Sequence, residues 1–128
     1  MATLGEIMTG EVYVVAPETP VSEVAAAMVK GRFGSAIVQE AGSWIAGIFT
    51  ERDVLRAAAS GDDLTSTPVS TYMTPDPHTV GPEMTADEAA QIMAAQGFRH
   101  LPVVEGKDLL GIVSLRDVLS TKIARAPR

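Results

Sequence analysis

The chain of 128 residues contains no cysteine. Disulfides, thiolate catalysis and cysteine-held zinc are therefore excluded. There are two histidines, His78 and His100, distant from one another, with no His-Glu-x-x-His pattern and no aspartate-rich calcium loop. No protein metal site is expected from such a set, and His78 reads as a surface loop residue. Aromatics make up 5% and include a single tryptophan, Trp44, which reads as a core or dimer-surface residue rather than a stacking platform. Basic residues number 10 against 16 acids, for a net charge of −6, and they are scattered. A nucleic-acid binder neutralises phosphates with a basic stripe, so no nucleic acid is expected as partner. No apolar run approaches the roughly 20 residues that span a bilayer. The opening "MATLGEIMTG" has neither the basic nor the apolar region of a signal peptide. The expectation is a cytoplasmic protein without membrane contact. No serine–histidine–acid set, carboxylate pair or Walker-type loop is present, so neither catalysis nor an obligatory cofactor is expected.

What the chain does have is a duplication. Hydrophobic content of 46% with 20% charge is globular. "GIFTERDVL" at Gly47–Leu55 returns as "GIVSLRDVL" at Gly111–Leu119, 64 positions on. Upstream, "IMTGEVYVVAPETPVSEVAAAM" faces "YMTPDPHTVGPEMTADEAAQIM" at an offset of 65, from Met8 to Met73. One residue is lost in the turn before Gly111. Repeats of about 60 residues fill nearly the whole chain, one over 1–62 and the other over 63–128.

Each repeat has the same order of elements. A short extended lead-in ("YVVA", "HTVG") precedes a helix with Val21, Val24, Ala25, Met28 and Val29, or Ala86, Ala89, Ala90 and Met93, on one face. Thr19 is placed as N-cap with Pro20 at the first helical position. In the second repeat Thr85-x-x-Glu88 is a capping box, and Gly31 and Gly97 mark the helix exits. Two short apolar runs follow, "SAIVQ" and "WIAGIF" or "HLPVV" and "LLGIV", joined by Gly- and charge-rich turns as paired strands. A last helix starts near Thr50 or Ser114. The fold class expected is α/β (α+β): two tandem units with small sheets packed face to face about a pseudo-twofold axis, helices outside.

Two copies of Gly-hydrophobic-x-Thr/Ser-x-x-Asp, each after a "HLPVV"-type strand and an "MT…V…P" lead-in, resemble the CBS domain, and in tandem a CBS pair or Bateman module. The resemblance implies a regulatory module that senses an adenosine-containing ligand (AMP, ADP, ATP, NAD or S-adenosylmethionine) in clefts between the units. Carried over residue by residue, Asp53 and Asp117 would accept the ribose hydroxyls, and Thr50 and Ser114 would meet phosphate or ribose. Gly34, Ser35, Ala36 and Ile37, with Arg99, His100, Leu101 and Pro102, would line the base and phosphate pocket. The lead-ins around Val14-Val15 and Thr79-Val80 would flank the base. The alternative is a dimerising scaffold, or an accessory subunit of an enzyme or transporter acting through an effector protein.

The residues themselves leave two roles open. A carboxylate is a natural bidentate acceptor for a vicinal diol, and a helix N-terminus offers free N–H groups to phosphate. Thr50-x-x-Asp53 and Ser114-x-x-Asp117 are equally good helix caps. Arg52 and Arg116 either hold phosphate or face solvent. Arg99 and His100 put two donors where the first repeat has Gly34 and Ser35, so unequal occupancy of the two sites is expected. Gly47 and Gly111 permit close approach of backbone or ligand within a strand. A homodimer is expected through the last helices, where Val54, Leu55 and Ala58 of one repeat and Val118, Leu119 and Ile123 of the other offer an apolar surface.

Overall fold

The computed structural model describes residues 2–124, the last three by backbone alone. In chain order the elements are α1 (Leu4–Ile7), β1 (Val14–Val15), α2 (Val21–Gly31), β2 (Ser35–Gln39), β3 (Ile45–Thr50), α3 (Glu51–Ser60), a 3-10 turn (Val69–Thr71), β4 (Thr74–Pro75), α4 (Ala86–Gln96), β5 (His100–Glu105), β6 (Asp108–Ser114) and α5 (Leu115–Ala124). The class is the expected mixture of helices with small sheets.

Two compact units form, and they are not cut where the repeats are. One holds residues 13–77, and the other joins residues up to 12 to those from 78 onward. The first has a four-stranded sheet in the order β1-β2-β3-β4, with β1 parallel to β2 and the other pairs antiparallel. The second pairs β5 with β6 antiparallel, and single bridges at Val80–Val103 and Thr9–Ile112 stand where β1 and β4 stand in the first.

The reason for the shifted cut lies in the first part of each lead-in, residues 2–9 and 67–75 ahead of "YVVA" and "HTVG", which docks on the repeat that does not contain it. Leu4 N–H donates to Met84 O at 2.8 Å, Gly5 N–H to Pro82 O at 2.8 Å and Ala86 N–H to Ala2 O at 3.0 Å. One repeat later, Val69 N–H donates to Thr19 O at 2.8 Å, Ser70 N–H to Pro17 O at 3.1 Å and Val21 N–H to Thr67 O at 2.9 Å. Every bond has its counterpart at the 65-residue offset. These carbonyls matter because the first N–H groups of a helix have no partner within it.

Helical periodicity builds the cores. On α2, Val21, Val24 and Met28 are buried, and on α4 Ala86, Ala89 and Met93. The first set joins Val15, Ala36, Val38, Phe49, Ala57 and Val69, and the second joins Leu4, Val80, Leu101, Val103, Val113 and Val118. Three consecutive residues are buried in the middle of β2, β3, β5 and β6, so alternation is lost as it is in any strand covered on both faces. Both hairpins shift register at the same place, after Val38 and after Val103. The missing residue lies in the turn: Gln39 and Ile45 enclose five residues, whereas Val104 and Leu109 enclose four.

Two local expectations, both at α2, are corrected. Pro20, not Thr19, is the N-cap of α2 and supplies no side-chain acceptor, so Thr67 O and Leu64 O receive the N–H groups of Val21 and Ser22 instead. The left-handed exit of α2 belongs to Arg32 at φ 57°, the counterpart of Gly97 at φ 77°. Gly31 is the last helical residue, and a Cβ there would fall 2.5 Å from the Phe33 ring. Gly47 and Gly111 make room for the exchanged lead-ins rather than for a ligand. A Cβ at Gly47 would lie 2.7 Å from Thr74 O, and one at Gly111 2.6 Å from Thr9 O.

Candidate ligand site

The Thr/Ser-x-x-Asp segment sits at a strand-to-helix turn in each unit. In the unit with β5 and β6, antiparallel pairing sets His100 opposite Ser114, and Leu115 N–H donates to Arg99 O at 2.8 Å. Arg99 and His100 are thereby held beside the start of α5. Ser114 N–H donates to Asp117 Oδ2 at 2.8 Å, and Asp117 N–H donates to Ser114 Oγ at 3.1 Å. The capping role is real. It uses one carboxylate oxygen only: among the described residues, Asp117 Oδ1 has no hydrogen-bond or ion-pair partner, and the residue is only half-buried.

The equivalent turn of the first repeat is built alike. Ser35 pairs with Thr50, and Glu51 N–H donates to Gly34 O at 3.0 Å. Asp53 Oδ2 accepts from Thr50 N–H at 2.9 Å and from Thr50 Oγ at 3.3 Å. Here the second oxygen is taken as well, because Arg56 Nη1 lies 2.9 Å from Asp53 Oδ1. The Asp53 side chain is 8% exposed. A Cβ at Gly34 would be 3.0 Å from the Glu51 carboxyl carbon, so a negative group stands at this helix start, where the second repeat has Leu115.

The other candidates divide by burial. Ala36, Ile37, Leu101 and Pro102 are completely buried, and Ala36 and Leu101 belong to the cores with Val15 and Val80. Their side chains are packed inside the protein, as expected of strands covered on both faces. Val14 is 45% exposed, and Thr79 is half-buried. Arg52, Arg99 and Arg116 are exposed, and His100 is half-buried. Trp44 is exposed at 47% and is not a core residue. No group of three or more His, Asp or Glu able to hold a metal exists among the described residues. No described helix is long and apolar enough to cross a membrane.

Two residues that sequence reasoning passed over separate the sites, Glu51 and Arg56. The signal was present in the repeat alignment, where they face Leu115 and Ser120.

A duplicated helix–strand–strand–helix unit with a Thr/Ser-x-x-Asp turn defines a class of paired small domains. The CBS domain model matches residues 4–60 and 69–123, and the chain belongs to the CBS domain family as a tandem pair, a regulatory module. It is 40% identical over 120 residues to a 17.7 kDa protein of Acidianus ambivalens, covering 92% of this chain and 72% of that one. A CBS-domain-containing protein of Agrobacterium tumefaciens superposes with a TM-score of 0.86 at 31% identity, covering 95% of each chain. The CBS pair of protein MJ0100, solved with 5′-methylthioadenosine and S-adenosylmethionine, superposes with a TM-score of 0.89 over 98% of this chain and 99% of that one at 18% identity.

Proposed function

We propose that this CBS pair senses an adenosine-containing ligand, an adenine nucleotide of the AMP type, bound at the second repeat through Ser114 and Asp117. One observation carries the reading: among the described residues Asp117 keeps a carboxylate oxygen uncommitted, at a helix start that Arg99 and His100 adjoin. The free oxygen suits a ribose diol, and Arg99 and His100 suit the 5′-phosphate. Glu51 disfavours phosphate at the first repeat, so the second is the stronger site. That the fold accommodates such compounds is supported by the MJ0100 pair, which carries two of them.

Calorimetric titration with AMP, ADP, ATP, NAD and S-adenosylmethionine tests this. Asp117→Ala removes a charged acceptor worth about 1.5–3 kcal/mol and should weaken AMP about tenfold to a hundredfold. Asp53→Ala should change it little. Unaltered AMP affinity in a folded Asp117→Ala protein would leave that residue a cap and nothing more.

A second reading, association into a homodimer, is favoured by Leu55 and Leu119, which are 70% and 48% exposed at matching positions of α3 and α5. Val118 is withdrawn from the expected surface because it is completely buried in the core, and Val54 packs partly against the other core. Ile123 has its side chain outside the described residues. Light scattering should report twice the chain mass, and Leu119→Glu should return it to a monomer. A dimer unaffected by that change would move the interface elsewhere.

A further inference from the structure

Arg56 does more than balance a charge on a helix. Its Nη1 bonds Asp53 Oδ1 at 2.9 Å and reaches Tyr72 O at 3.4 Å. The guanidinium carbon stands 5.8 Å from the centre of the Tyr72 ring, within cation–π range. Tyr72 is held in turn by its hydroxyl, which donates to Asp62 Oδ2 at 2.6 Å. The arginine is thus seated from three directions while more than half of its side chain meets solvent. In the second repeat the same places hold Ser120 and Ile7, neither of which can act as a cationic donor, and no described residue bonds Asp117 Oδ1.

We infer that Arg56 occupies the diol-acceptor position of the first repeat from within, so that the chain takes up one nucleotide rather than two. The residue three positions after the aspartate, Arg56 or Ser120, then decides whether a repeat binds. The inference rests on the proposed nucleotide reading for its ligand, but its chemistry is local. A carboxylate with one oxygen in a capping box has a single oxygen left for a ribose, and a guanidinium is the donor that competes for it best. Displacing it would expose a buried carboxylate and break the seating on Tyr72, which a ligand must offset before it gains any affinity.

The experiment is calorimetric titration of the full chain with AMP, using wild type, Arg56→Ser and the reciprocal Ser120→Arg, with circular dichroism to check folding. The expected result is one equivalent for wild type, two for Arg56→Ser, and affinity lowered about tenfold or more by Ser120→Arg. Two equivalents in wild type, or still one in folded Arg56→Ser, would overturn the inference and leave the nucleotide reading standing. No binding by wild type but one equivalent for Arg56→Ser would uphold the blocking role of Arg56 and overturn the assignment to Asp117. No binding by either protein would overturn both. If Arg56→Ser does not fold, Ser120→Arg decides alone: retained wild-type affinity overturns the proposal, and loss supports it.

Discussion

Truncating Leu4 to alanine should cost about 2–5 kcal/mol of folding stability, the range for a buried leucine that leaves a cavity. Leu4 is completely buried and belongs to the core with Val80, Ala89, Leu101 and Val118. Its own N–H is bonded to Met84 O at 2.8 Å. The residue is as central as any in its unit. With total stabilities of about 5–15 kcal/mol for domains of this kind, urea denaturation should show the midpoint fall steeply. A change below about 1 kcal/mol would mean that the lead-in frays and that residues 78–124 hold without it.

Phe49→Ala should be at least as damaging, about 3–5 kcal/mol. Phe49 is the largest of the completely buried side chains among the described residues. It lies on β3, which pairs with β2 on one side and with the exchanged strand β4 on the other. It shares its core with Val24 and Met28 of α2, Ala57 of α3 and Val69 of the 3-10 turn, so one cavity would loosen three segments besides β3. The second repeat fills the equivalent position with Val113, so Phe49→Val should cost less than the alanine. Denaturation followed by Trp44 fluorescence, five positions away on the same hairpin, would report both. Equal losses for valine and alanine would show that shape rather than volume governs the site.

Much was legible in the residues alone. The duplication, the order helix–strand–strand–helix within each repeat and the family all follow from Gly-hydrophobic-x-Thr/Ser-x-x-Asp occurring twice on aligned apolar patterns. Those features are local, and periodicity records them directly. The errors at α2 are of one residue and have one cause. Thr19 and Gly31 are the residue types that caps and exits prefer, but Thr67 O does the work of an N-cap side chain, and Phe33 lies where a Cβ on residue 31 would go.

The candidate site divides the same way. Asp53 and Asp117 are indistinguishable by motif, and the substitution of Arg56 for Ser120 is visible in the alignment, but not its consequence. An arginine three residues along a helix either reaches back to the acid or extends into water. Tyr72, delivered by the exchanged lead-in, settles that choice. Similarly, adjacent residues such as Val118 and Leu119 look alike in sequence, and only the packing of α5 buries one and exposes the other. The exchange itself is a tertiary decision. Both repeats carry a lead-in of the same type, so no local pattern states which of two near-identical partners Leu4 or Val69 will join. The chain's own connection decides it, because the residues between Val15 and Thr67 are spent building one unit, and residues 2–9 are left to complete the other.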